Sequence, residues 1–289
     1  MKTDFQNITI LGGGLLGGSL ALALAALDIP PQKIRLWARK PKTVDAALKI
    51  GIPDATADLA QAVQDADLII LAVPVGSMAA LVSSALNAGV PAGCVITDVG
   101  SVKGVPHRQI SPLLVGQRIA FIGSHPMAGS ERNGLAAITA DLFQNAACLL
   151  TNDDGAAPAQ AEAVERFWQA IGCRTTWLSA TAHDQLVARI SHLPHLIAAS
   201  AARVCLKDPS DGRFGGGGLR DTTRVAAGNP DMWAEIVTEN REALIGLLHE
   251  SIDDLRQVLG HLESGDPAQA QQWLSLAKER RDPLNSLLL

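Results

Sequence analysis

Residues 8–19 read Ile8-Thr9-Ile10-Leu11-Gly12-Gly13-Gly14-Leu15-Leu16-Gly17-Gly18-Ser19, an apolar run passing straight into a glycine cluster. The run Asn7 to Leu11 has the length and composition of a buried strand, and Leu15 to Leu27 reads as the helix after it. Gly12, Gly14 and Gly17 fall at the spacing of a dinucleotide-binding turn. Gly12 permits the tight turn, Gly14 lets backbone approach a pyrophosphate, and Gly17 allows close helix–strand packing. The free N–H groups of the helix start, at Leu15, Leu16 and Gly17, and the positive end of the helix dipole then suit the phosphates. Such a turn is weak evidence alone. Its position at the first strand–helix junction of an alternating chain gives it weight.

That alternation continues downstream. Strands are expected at Lys33 to Trp37, Leu68 to Ala72, Cys94 to Asp98, Ala120 to Ile122, Ala146 to Leu150 and Arg174 to Leu178. Helices are expected at Lys42 to Ile50, Ser77 to Asn87, Val102 to Ile110 and Pro158 to Ala170. Strands alternating with helices predict an α/β fold, a doubly wound parallel sheet of Rossmann type with helices on both faces. After Thr181 the strand signal stops, and helices are expected at His183 to Leu206, Leu219 to Ala227, Pro230 to Glu263 and Pro267 to Glu279. The chain therefore divides into a dinucleotide-binding domain, residues 1–178, and an all-helical domain, residues 179–289. The helical part carries more apolar residues, Leu244 to Leu262 above all, than one small domain can cover. A homodimer through this half is expected.

Composition narrows the function. The 289 residues are 47% apolar and 18% charged, with a net charge of −5, which gives no reason to expect nucleic acid or a membrane surface as partner. The four cysteines form no CxxC pair, so reduced, mostly buried thiols are expected, and no metal site. Met1 to Ile8 contains Asp4 and does not read as a secretory leader, and no stretch is long enough to span a bilayer. A cytoplasmic location is expected.

The second strand decides which nucleotide. It ends Leu36-Trp37-Ala38-Arg39-Lys40, without the acid that would accept from a ribose 2′-OH. Arg39, backed by Lys40, matches a 2′-phosphate and favours NADP over NAD, the plainer reading being a solvated basic pair. Val73 and Pro74 end the next strand, and Asp98 begins the stretch Asp98-Val99-Gly100-Ser101-Val102-Lys103 after the one following. Both loops fall on the expected ligand edge and are read as cofactor contacts.

Three of the seven histidines fall in two short motifs, Gly123-Ser124-His125-Pro126-Met127-Ala128-Gly129-Ser130-Glu131 and Ser191-His192-Leu193-Pro194-His195. His125 follows a strand, where a dehydrogenase needs an acceptor for a hydroxyl proton. His192 and His195 open an apolar helix and could equally cap or pack it. Arg224 could be an ordinary surface arginine.

These motifs, with Leu219-Arg220-Asp221-Thr222-Thr223-Arg224, stand in the order seen in prephenate dehydrogenases, also called cyclohexadienyl or arogenate dehydrogenases, and the chain resembles that family over nearly its whole length. The resemblance implies oxidative decarboxylation of prephenate or arogenate with hydride transfer to NAD(P), in an active site between a nucleotide domain and a dimer-forming helical domain. It implies that His125 is the catalytic histidine and that Ser101 orients it and contacts the ring hydroxyl. By the same resemblance Arg224 binds the ring carboxylate, His192, His195 and Trp233 line the pocket, and Glu131 stands at its entrance. Arg220 stands where some members carry Lys. Two other readings stay open: a two-domain β-hydroxyacid dehydrogenase, and a non-catalytic NADP sensor.

Overall fold

The computed structural model describes residues 2–52, 54–129 and 134–284. Among the described residues eight strands form, β1 (Asn7–Leu11), β2 (Lys33–Trp37), β3 (Asp54–Thr56), β4 (Leu68–Leu71), β5 (Val95–Asp98), β6 (Ala120–Pro126), β7 (Ala147–Thr151) and β8 (Arg174–Leu178). They form one sheet in the order β3-β2-β1-β4-β5-β6-β7-β8. The first six strands of that order are parallel and follow the doubly wound arrangement, with the reversal of strand order between β1 and β4.

Alternating side chains feed two cores. Ile8, Ile10, Leu68 and Ile70 pack with helices α1 (Leu15–Ala25), α2 (Pro41–Lys49) and α6 (Pro158–Ala170) on one face. Leu11, Ile69 and Leu71 pack with α3 (Leu59–Val63), α4 (Val75–Asn87) and α5 (Gly104–Leu114) on the other.

The expected all-parallel sheet needs correction at one strand: β7 runs antiparallel to β6, and β8 is parallel to β7. Parallel neighbours need a crossover of a dozen or more residues, usually a helix. The described residues between Pro126 and Ala147 hold only the 3₁₀ turn Leu135–Ala137, so no crossover helix carries the chain back to the starting edge. A second difference is that β6 continues to Pro126, which places His125 within a buried strand opposite Leu149 rather than in the following loop.

β3 and α3 have no counterpart in the expected pattern, being three and five residues long. Tertiary contacts build them. Arg35, 4% exposed, reaches from β2 to the Asp54 and Asp65 carboxylates and the Gln61 and Ala62 carbonyls, and Asp58 caps α3 through the amides of Ala60 and Gln61.

The helical part begins with α7 (Ala180–Val187), a π segment (Ala188–His192) and α8 (Leu193–Cys205), which run on as one helix. Leu193 N–H donates to the Ala188 carbonyl five residues back. Pro194 has no N–H to give, and the wider π turn absorbs the missing bond. Then follow α9 (Gly217–Thr223), a 3₁₀ turn (Arg224–Ala227), α10 (Pro230–Glu239), α11 (Arg241–Ser264) and α12 (Pro267–Arg281). The single helix expected from Pro230 to Glu263 is broken at Asn240, whose side chain is drawn into the site described below.

The chain divides into two compact units, Met1–Asn240 and Arg241–Leu289. In the second, α11 exposes Ile245, Ile252, Leu255, Leu259 and Leu262, a 7-3-4-3 spacing along one side of the helix. Among the described residues no helix is long and apolar enough to cross a membrane. All four cysteines are free; Cys94, Cys148 and Cys173 are buried as expected, and Cys205 is exposed.

Candidate active site

The carboxyl ends of β1, β4, β5 and β6 share one edge of the sheet. Gly12 leaves β1 with φ of +135°, and a Cβ there would come within 2.1 Å of the Ala72 carbonyl at the end of β4. At Gly17 a Cβ would stand 1.9 Å from the Gly12 carbonyl. These two glycines are required by the protein's own backbone. Gly14 differs: it precedes α1 with no side-chain cap, and a Cβ there would meet nothing within 4 Å. The space over the first turn of α1, at Leu15 and Leu16, is thus open to a phosphate. Arg39 and Lys40 are exposed past the end of β2, and Val73 and Pro74 lead from β4 into α4.

Asp98 takes a different position from the expected cofactor contact. It is fully buried at the end of β5. Its oxygens accept from the Gly100 and Ser124 amides and pair with the Lys103 ammonium, which also donates to the Ser124 carbonyl at 2.7 Å. Burial pulls the Lys103 ammonium down from its ordinary value, while Asp98 beside it works the other way. Asp98 therefore braces the loop after β5 against β6. Ser124 Oγ extends the brace to Thr97 Oγ1 at 2.7 Å and Trp168 Nε1 at 2.9 Å.

His125, next along β6, is 8% exposed. Its Nδ1 lies 2.9 Å from His183 Nε2, and His183 Nδ1 lies 2.8 Å from Asp184 Oδ1. Asp184 also accepts from the amides of Lys103 and Gly104 at the start of α5. Burial works to raise the Asp184 carboxyl, but the bonds from His183 and these amides outweigh it and hold it below the ordinary carboxylate range. Burial, then the electrostatic influence of His183, Lys103 and His192, pushes the His125 imidazole well below 6.5. A neutral imidazole at the sheet edge is the result.

His192 closes the π turn. Asn240 Nδ2 donates to the Asp184 carbonyl at 2.9 Å and lies 3.0 Å from His192 Nδ1. A carbonyl only accepts, so the amide NH2 must point this way, His192 Nδ1 is the acceptor, and its proton rests on Nε2. Burial, chiefly, lowers His192 to about 4. His195 stacks on Trp233 with ring centres 3.5 Å apart, and its buried Nδ1 has no hydrogen-bond partner among the described residues.

The structure thus gathers His125 and His192 around His183 and Asp184, with Trp233 against both His192 and His195. Among the described residues no hydrogen bond joins Ser101 to His125, and His125 Nδ1 is held by His183. Arg224 is exposed, in the 3₁₀ turn that packs on α8. Arg220 is exposed and paired with Asp221. Glu131 lies outside the described residues. The sequence reading missed His183, Asp184, Asn240 and Lys103. The one local signal was the His-Asp pair 183–184, too common a dipeptide to single out.

Comparison with known proteins decides the family. Residues 21–177 match the model of the prephenate dehydrogenase nucleotide-binding domain, and residues 179–276 match that of the prephenate dehydrogenase dimerization domain. The chain belongs to the prephenate dehydrogenase family. It is 37% identical to the cyclohexadienyl dehydrogenase of Zymomonas mobilis over 91% of each chain. It is 32% identical to the prephenate dehydrogenase of Bacillus subtilis, over 96% of this chain and 76% of that one. The crystal structure of A. aeolicus prephenate dehydrogenase, in complex with hydroxyphenyl propionate and NAD+, superposes with a TM-score of 0.84 at 26% identity, covering 99% of this chain and 100% of that one. As a prephenate dehydrogenase family member, the protein is an NAD(P)-dependent enzyme of tyrosine biosynthesis that oxidatively decarboxylates prephenate, arogenate or both.

Proposed function

We propose that His125 is the general base of this reaction, that Arg224 holds the ring carboxylate, and that NADP is the preferred cofactor. The observation that carries the reading is the placement of His125, its Nδ1 held 2.9 Å from His183 Nε2 at the carboxyl edge of the sheet where the glycine turn opens. Its other nitrogen, Nε2, takes the proton of the ring hydroxyl as hydride leaves the same carbon. Loss of CO2 from the quaternary carbon para to it then makes the ring aromatic, which drives the step, so the enzyme's work is alignment and charge.

The open first turn of α1 suits a pyrophosphate, and Arg39 with Lys40 suits a 2′-phosphate. When bound, the nicotinamide supplies the hydride acceptor. Arg224 offers the carboxylate a bidentate fork, and Arg220 and Glu131 are taken as further substrate-binding residues. His195 and Trp233 form a flat wall, and His192 presents an Nε2–H donor. Ser101 contributes its hydroxyl to the ring hydroxyl. In this reading residues 1–178 bind the cofactor, and residues 179–289 bind substrate and a second copy of the chain.

The test is an initial-rate assay of reduced nicotinamide with prephenate and arogenate, each with NAD and NADP. His125→Asn is expected to lower kcat about 10²–10⁴-fold. Arg224→Ala is expected to act mainly on substrate KM, and Arg39→Ala to raise KM for NADP while leaving NAD nearly unchanged. Full activity in His125→Asn, or a wild-type preference for NAD, would overturn the corresponding assignment.

A further inference from the structure

We infer that His183 and Asp184 are positioning residues that set the tautomer of His125, so that its proton rests on Nδ1 and the lone pair on Nε2 faces the substrate. The inference rests on the base assignment above and adds the residues that make it work.

The hydrogen-bond line Asp184 Oδ1–His183 Nδ1, His183 Nε2–His125 Nδ1 has only one self-consistent neutral arrangement. A carboxylate can only accept, so the proton on His183 sits on Nδ1. His183 Nε2 is then unprotonated and must accept. The bond therefore requires a proton on His125 Nδ1, and Nε2 is left as the basic nitrogen. When Nε2 takes the substrate's hydroxyl proton, His125 becomes a cation donating to a lone pair that the Asp184 carboxylate polarises from behind. No proton leaves His125 along this line: one N–H bond forms at Nε2 as the substrate O–H bond breaks, and the same proton returns from Nε2 to the phenolate oxygen once loss of CO2 has made the ring aromatic. This is the logic of an acid orienting a catalytic histidine, extended by one imidazole.

The line is also anchored. Asp184 holds the Lys103 and Gly104 amides, and Asn240 grips its carbonyl, so neither end can swing away. Protonation would reverse the arrangement. A doubly protonated His183 donates from both nitrogens, which forces His125 Nδ1 to accept and places its proton on the nitrogen that must act as base. The groups facing the His125 imidazole are His183 and His192 from the helical part and Lys103 beside the start of α5; those facing His183 are Asp184, Lys103 and Asp98. Burial, helped by the Lys103 ammonium, outweighs the pull of Asp184 and disfavours that protonation near neutral pH.

His183→Leu and His183→Gln decide the matter. The Leu variant removes the acceptor and is expected to lose about 10–100-fold in kcat with substrate KM within about two-fold, the scale seen when a functional histidine loses its orienting partner. The Gln variant keeps an acceptor oxygen and is expected to recover most of kcat. In wild-type protein, ¹⁵N-histidine NMR should show His125 as the Nδ1–H tautomer. An Nε2–H tautomer there overturns the inference even if the Leu variant fails to fold, as does a His183→Leu enzyme with wild-type kcat. A fully active His125→Asn enzyme instead removes the base assignment itself, so the two failures are told apart.

Discussion

His192 shows how one side chain writes a pH dependence into the whole fold. Its imidazole is held neutral, with a pKa lowered from 6.5 to about 4 by burial. Between those values the unfolded chain binds a proton that the folded one does not. Stability is therefore full above pH 6.5 and is lost progressively as the pH falls towards 4. His125, His183 and His195 are shifted in the same direction and add to the slope. Urea unfolding at pH 7 and pH 5 should give a lower unfolding free energy at pH 5, and His192→Gln should flatten the difference without abolishing it. An unchanged slope in that variant would mean that His192 is charged in the folded protein.

The loop between β5 and α5 and the strand β6 depend on one another through Lys103 and Asp98, both without solvent exposure. Breaking a buried pair on one side leaves an uncompensated charge, at a cost of roughly 3–5 kcal/mol. Lys103→Met is expected to destabilise by that amount in chemical denaturation, and Asp98→Asn added to it should recover part. A Lys103→Met protein as stable as wild type would show that Asp98 is not held there as a buried carboxylate. The same bracing explains why the last residues of β6 stay in the sheet: Ser124 is bonded to Asp98, Lys103, Thr97 and Trp168, which leaves His125 little freedom except at its ring. Sequence reading could place the start of β6 from its apolar run. It could not see the extension to Pro126, because Gly123 to Pro126 are held by partners from distant elements rather than by their own strand propensity.

Across the molecule the apolar stripe on α11 asks for a cover. Ile245, Ile252, Leu255, Leu259 and Leu262 recur at seven-residue, coiled-coil spacing and are 42–67% exposed in the single chain. The family model matching residues 179–276 is a dimerization domain, and a second copy of this chain is the occupant we propose. Leu255→Asp with Leu259→Asp should convert a dimer to a monomer in sedimentation velocity, with helical circular dichroism preserved. Persistence of the dimer in the double variant would move the interface elsewhere.

Most of the nucleotide-binding half is legible in the chain itself. β1, β2, β8 and α6 begin and end where their local patterns place them, because strand burial and helix periodicity are properties of neighbouring residues. The glycine turn is legible for the same reason: Gly12 and Gly17 answer to a backbone clash within a short stretch and with the strand beside it, and Gly14 leaves the helix start open. His125, His192 and His195 stand in compact motifs and could be singled out, although not their protonation or partners. What the tertiary structure alone decided is the direction of β7, the break at Asn240, and the set of contacts made by His183, Asp184 and Lys103. Those contacts join residues 58 to 81 positions apart where they cross from β6 or α5 to α7. No local pattern encodes such a meeting, since a lone His, Asp or Lys carries no periodic signature, and only folding shows which buried polar group must satisfy which.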